Sequence, residues 1–168
     1  MKIAVCGTHG SGKSTLIEKM RCDLDNDRVN VFIVEEAARD CPLPLRTIEA
    51  QRWIWHEHYS REIEGMMNGC RVVLCDRSLM DELVYLRYIL NKAPSKYGEY
   101  MFEVMHSVTT EWMKTYHQVI RLPLNEERIL ITDDELRSKD LVYAREIDHL
   151  FDEMIGDYVT HDENGAMA

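Results

Sequence analysis

Apolar residues along the chain alternate between short continuous runs and longer stretches with helical spacing. Lys2 to Cys6 is a short apolar run ending at a glycine, and Ser14 to about Leu24 repeats Leu16, Ile17, Met20 and Leu24 on one helical face. The pattern predicts strand, loop, helix. Val29 to Val34 is a second β-branched run, set off by Asp25-Asn26-Asp27 before it and Glu35-Glu36 after it. Thr47 to about Asn68 places Ile48, Trp55, Tyr59, Ile63 and Met66 along one side of a long amphipathic helix closed by Gly69. Arg71 to Cys75 is apolar throughout, as expected for a strand covered on both faces. Leu79, Leu83, Leu86 and Leu90 predict a helix. After a break at Pro94–Gly98, Met101, Val104, Met105, Val108 and Trp112 predict another, reaching about Thr115. Gln118 to Leu122 is a fourth strand stopped by Pro123, and Asn125 to Asp140 is charged without clear period. A last helix runs from about Asp140 to Ile155, and Tyr158 to Thr160 is a candidate fifth strand.

Strands alternating with helices imply an α/β fold of three layers, α/β/α, around a parallel sheet. The length of 168 residues fits one domain, assigned to residues 1–160 with a polar tail over 161–168. The net charge of −10 disfavours phosphate backbones and anionic lipid, so neither nucleic acid nor a membrane is expected as partner. No apolar run approaches the roughly 18 residues that span a bilayer. Five scattered cysteines without a C-x-x-C pair, of which Cys6 and Cys75 sit in apolar runs that read as buried strands, are taken as small hydrophobes in a reducing compartment, and a cytoplasmic protein is expected.

Gly7-Thr8-His9-Gly10-Ser11-Gly12-Lys13-Ser14 satisfies G-x-x-x-x-G-K-[ST] and sits between a predicted strand and a predicted helix. The glycines let successive N–H groups turn inward onto phosphate oxygens at a helix N-terminus. The nucleotide-binding set is therefore Gly7, Gly10, Ser11, Gly12, Lys13, Ser14 and Thr15. Lys13 is expected to reach the β and γ phosphates of ATP. Mg2+ needs Ser14 and an acidic partner, and Asp76, at the end of the third strand, lies where that partner is required.

The loop alone does not separate kinases from switches or transporters. A GTPase would carry D-x-x-G after the third strand and N-K-x-D later. Here Asp76-Arg77-Ser78-Leu79 and Asn91-Lys92-Ala93-Pro94 stand instead, and the L-S-G-G-Q signature of transporter ATPases is missing. Together with the loop, Glu35-Glu36 after the second strand, Gln51 on the next helix and Asp76-Arg77-Ser78 resemble the thymidylate kinase and deoxynucleoside kinase group. Asp134-Glu135-Leu136-Arg137 and Arg145 are similar to the lid of that group and of nicotinamide riboside kinase-like domains.

The resemblance spans Met1 to about Tyr158 and implies a five-stranded sheet in the order 2-3-1-4-5. It implies Glu35 as general base, with Glu36 as the alternative. Arg77 would lie between donor and acceptor, Gln51 would read a base, and Arg137 and Arg145, with Arg128 as a further candidate, would neutralise the transferred phosphoryl. The acidic run replacing the usual arginine-dense lid departs from that pattern. The expected partner is a small-molecule phosphoryl acceptor: a nucleoside, a nucleoside monophosphate or a related riboside. Self-association into a homodimer is left open. The alternative is a nucleotide-sensing ATPase module that hydrolyses slowly and signals to a partner protein. His56 and His58 lie roughly 200° apart on their helix and read as a solvated face, while Trp53, Trp55 and Tyr59 read as core.

Overall fold

The computed structural model describes residues 1–131 and 138–156. In chain order the elements are β1 (Lys2–Cys6), α1 (Lys13–Asn26), β2 (Val31–Val34), a 3₁₀ turn (Ala37–Asp40), α2 (Ile48–Met67), β3 (Val72–Asp76), α3 (Leu79–Lys92), α4 (Lys96–Met113), β4 (Gln118–Arg121), α5 (Glu126–Ile131) and α6 (Leu141–Ile155). The four described strands form one parallel sheet in the order β2-β3-β1-β4. That order matches the expected one as far as the fourth strand; Tyr158 to Thr160 lies outside the described residues, as does the tail. With Ile3 beside Leu74 and Ala4 beside Val119, the register brings the carboxyl ends of the strands together at one edge.

Strand alternation divides the core in two. Ala4, Cys6, Val34, Val73 and Cys75 face the layer built from α2, α3, α4 and α6, where Leu79, Leu83, Leu86, Leu90, Ile147 and Phe151 are buried. Ile3, Val5, Val72 and Leu74 face Ile17 of α1 on the other side. Both faces are thus covered, which is why these strands read as unbroken apolar runs.

Three readings of the sequence need correction. The inward side of α2 carries polar groups: His58 and Glu62 are fully buried while Met66 is exposed. Glu62 accepts from Lys2 Nζ at 2.6 Å, Trp112 Nε1 at 2.7 Å and the Tyr116 hydroxyl, and pairs with His58 Nε2 at 2.9 Å. Burial alone would raise its pKa, but His58 and Lys2 bring it down to about 2. Only His56 of the two histidines is solvated. On α4, Val104 and Val108 point outward and Phe102, Met105 and Thr109 face the core, because the helix is rotated to bury Gly98 against Leu90 and Ile48. Finally, the aperiodic stretch after β4 contains α5, a helix too short to show a period.

Candidate active site

The loop from Gly7 to Gly12 leaves the end of β1, at the centre of the sheet, and runs into α1. Gly7, Gly10 and Gly12 all have positive φ, at 139°, 74° and 99°. A side chain at Gly7 would also meet the Leu122 carbonyl at 2.5 Å. Lys13 is buried and donates from Nζ to the carbonyls of Gly7 at 2.8 Å and Thr8 at 2.9 Å. Burial, with the Arg77 guanidinium nearby, lowers its pKa to about 7. Ser14 donates to Asp76 Oδ2 at 3.0 Å, and Asp76 Oδ1 is buried without a protein partner. A serine hydroxyl against a carboxylate with an unsatisfied oxygen is the donor set a magnesium ion takes.

β3 ends at Asp76, and the next residue turns sharply. Arg77 has φ 92°, a region that costs a non-glycine residue about 1–3 kcal/mol. Its surroundings hold it there. The backbone N–H donates to the Val5 carbonyl at 3.1 Å. The side chain reaches Glu36 Oε1 from Nε at 2.7 Å and from Nη2 at 2.6 Å, with Nη1 3.4 Å from Asp81 Oδ1. Burial disfavours the charge, yet Glu36, with Tyr85 and Asp81, keeps the guanidinium well above its ordinary pKa. Asp81 completes the junction by accepting from Gly7 N–H at 3.2 Å, Ser78 N–H at 2.9 Å and the Ser78 hydroxyl at 2.8 Å. One buried carboxylate therefore ties the phosphate loop to the start of α3.

Beside this junction opens a pocket lined by His9, Glu36, Arg46, Gln51, Glu82 and Tyr143, with Arg77 and Tyr85 at its inner wall. Gln51 spends its Nε2 on the Leu45 carbonyl at 2.5 Å, which leaves Oε1 buried and unpaired. Glu82 Oε1 and the Tyr85 hydroxyl are buried and unpaired as well. Burial raises the Glu82 carboxyl to about 7 against the opposing pull of Arg77 and His58. Three orphaned polar atoms in one pocket are costly unless something enters to meet them. His9, within the phosphate loop, stacks on Tyr143 of α6 with ring centroids 5.3 Å apart. Arg46 lies over the same tyrosine at 4.2 Å.

The expected site residues are only partly gathered here. Lys13, Ser14, Asp76, Arg77 and Gln51 meet around the loop and pocket. Glu35 does not. It is exposed, and its carbonyl accepts from Arg61 Nη1 at 3.4 Å, whereas Glu36 is buried against Arg77. Alternation along β2 puts Val34 in the core and Glu35 on the opposite side, and the turn at Glu36 (φ −57°, ψ 107°) then swings that residue into the crevice. Arg145 is also displaced from its expected role: it lies half-exposed on α6 and pairs with Glu126. Arg137, Asp134 and Glu135 lie outside the described residues. Sequence reasoning missed Glu82 and Tyr85 on α3 and Tyr143 on α6. A charged or phenolic residue on the buried face of a leucine-spaced helix was the available signal for the first two.

A family model described as an AAA domain matches residues 2–159. The chain belongs to this AAA-domain family. No curated protein matches it by sequence. Among solved structures, the AAA-domain fold found here is similar to deoxyadenosine kinase from M. mycoides with bound dATP, at 22% identity and a TM-score of 0.67, covering 93% of this chain and 84% of that one. The same enzyme with bound dCTP matches at 19% identity and a TM-score of 0.68, over 94% and 87% of the two chains. The three-layer P-loop fold expected from the sequence is thereby shown. Among the described residues of this AAA-domain protein, no helix is long and apolar enough to cross a membrane.

Proposed function

We propose that this protein is an ATP- and magnesium-dependent kinase whose acceptor is the hydroxyl of a nucleoside or related riboside. The observation that carries the reading is the Glu36–Arg77 pair, held between the phosphate loop and a pocket with unsatisfied polar atoms. A carboxylate at this point is what a hydroxyl acceptor needs, since its proton must leave as the phosphoryl group arrives. A phosphate acceptor, as in a nucleoside monophosphate, would be repelled by Glu36 and would find Arg77 already neutralised by Glu36 and Asp81.

In this reading Lys13 and the loop amides hold the triphosphate, and Glu36 accepts the hydroxyl proton. Arg77 orients Glu36 and lies ready for charge building on the transferred group. Ser14 and Asp76 would hold magnesium, which would offset negative charge on the triphosphate. Gln51 Oε1 and Glu82 Oε1 are two unpaired acceptors in the lining of the same pocket, the chemistry that an exocyclic amino group would meet. This favours adenine or cytosine nucleosides, or a carboxamide-bearing riboside, over thymidine. The similarity to an enzyme named for deoxyadenosine agrees with that choice. A cytoplasmic setting belongs to the same reading.

The test is ADP release from magnesium ATP over deoxyadenosine, deoxycytidine, thymidine, nicotinamide riboside and the deoxynucleoside monophosphates, with a no-acceptor control. Stimulation by an amino-bearing nucleoside or the riboside, with its monophosphate seen by mass spectrometry, is the expected result. Stimulation by monophosphates alone would overturn the hydroxyl-acceptor reading. Slow release indifferent to every acceptor would favour a nucleotide-sensing module.

A further inference from the structure

Asp81 lies in the first turn of α3 and is fully buried. Its two oxygens serve different elements. Oδ2 closes the capping box that starts the helix, accepting from the Ser78 N–H at 2.9 Å and the Ser78 hydroxyl at 2.8 Å. Oδ1 takes no part in that cap. It accepts from the Gly7 N–H at 3.2 Å and lies 3.4 Å from Arg77 Nη1.

The Gly7 peptide is thereby held from both sides. Its N–H points at Asp81, while its carbonyl accepts from Lys13 Nζ at 2.8 Å and from Arg77 Nη1 at 3.5 Å. One continuous path of hydrogen bonds runs from Lys13 through Gly7 and Asp81 to Arg77, and from Arg77 to Glu36 Oε1. Gly7 opens the phosphate loop and Glu36 lines the pocket, so Asp81 Oδ1 stands where the two halves of the site are joined. Arg77 needs such an anchor, because its long side chain must give up rotamer freedom for the guanidinium to face Glu36. Only a carboxylate suits the position. Four N–H or O–H groups converge on the two oxygens, whereas an amide offers one oxygen and turns an NH2 group towards the remaining donors.

We propose that Asp81 is a positioning residue for phosphoryl transfer: its Oδ1 fixes Arg77, and through Arg77 the carboxylate of Glu36, in register with the first residue of the phosphate loop. The inference rests on the reading of Glu36 as the group that accepts the hydroxyl proton. It gives the carboxylate a task beyond capping α3, since the base for the acceptor and the lysine for the donor then share one anchor, and a shift of either relative to the other lengthens the transfer path.

The test is the steady-state kinetics of Asp81→Asn with magnesium ATP and the best acceptor of the panel above, beside Ser78→Ala, which weakens the cap and leaves Oδ1 in place. Asp81→Asn removes a charge-assisted contact to Arg77 and is expected to lower kcat roughly 10- to 100-fold, with KM for ATP and for the acceptor within about threefold. Ser78→Ala should lower the melting temperature by about 2–4 °C and leave kcat within about twofold. In a Glu36→Gln background Asp81→Asn should cost less than about threefold, because the group it acts through no longer takes the proton; a merely structural role would cost the same in both backgrounds. Hydrogen exchange of the Arg77 Nε–H, followed by NMR, needs no acceptor: it should be roughly tenfold faster in Asp81→Asn than in wild type and unchanged in Ser78→Ala. Asp81→Ser, whose hydroxyl is one bond shorter than the carboxylate, is the second variant where the amide fails to fold, with the same losses expected. A kcat loss that Ser78→Ala matches, or Arg77 Nε–H exchange within about twofold of wild type in the Asp81 variants, would overturn the proposal. Wild type that no acceptor stimulates would instead defeat the kinase reading, and the exchange rates would then decide the Asp81 anchor by themselves.

Discussion

Glu82 offers the sharpest test of the pocket, because one substitution predicts both a stability change and an activity change with pH. The carboxyl is buried on α3, and its pKa is raised from 4.5 to about 7 by desolvation. The folded protein therefore holds this proton more tightly than the unfolded chain does. The stability gained is fully present below the unfolded value and is lost as the pH rises through 7. Between pH 5 and pH 8 the loss is about 2.5 kcal/mol at 1.36 kcal/mol for each pKa unit. Glu82→Gln keeps the shape of the neutral acid and does not ionise. The melting temperature of the variant minus that of wild type should then grow by roughly 5–10 °C between pH 5 and pH 8 in a protein of this size. Differential scanning fluorimetry across that range reads the difference directly, and taking the difference cancels titrations common to both proteins. A gap that stays constant with pH would refute the buried-acid reasoning. Activity adds an independent arm. If ionised Glu82 accepts from an amino group of the acceptor, the ratio of kcat/KM in wild type to that in Glu82→Gln should rise through about pH 7, the ratio cancelling the titration of Lys13 that both proteins share.

Two further predictions follow from the geometry. Glu36→Gln should lower kcat by about 10²- to 10⁴-fold, the usual contribution of a positioned base, while leaving ATP binding intact; Glu35→Gln should be close to wild type in the same steady-state assay, and the reverse order would restore Glu35 to the mechanism. Glu62→Ala would strand Lys2, which is buried against it at 2.6 Å, and should cost about 3–5 kcal/mol, seen as a fall of roughly 6–20 °C in melting temperature without a change in KM for either substrate of the remaining folded enzyme.

The phosphate loop, the order of strands and helices, and the acidic residue at the end of β3 were determined by the sequence itself. Each is local: glycines with positive φ, a lysine one residue past the last of them, and continuous apolar runs carry their meaning within a few neighbours along the chain. The three-layer fold follows from the same signals, because a strand covered on both faces cannot hide its composition. The pocket beside the phosphate loop was decided by tertiary structure. Glu35 and Glu36 are equivalent in the sequence, and only the alternation of β2 and the turn after it send one to solvent and the other to Arg77. His58, Glu62 and Glu82 read as surface charge until the rotation of α2 and α3 buries them, where Glu62 pairs with His58 one turn along α2 and with Lys2, Trp112 and Tyr116 from elsewhere in the fold, while Glu82 Oε1 is left unpaired. Arg145 is visible as a cation in the sequence, but its distance from the loop and its grip on Glu126 depend on how α6 docks beside α5. Local chemistry fixes where a triphosphate can sit; the directions of side chains across packed elements fix what stands opposite it.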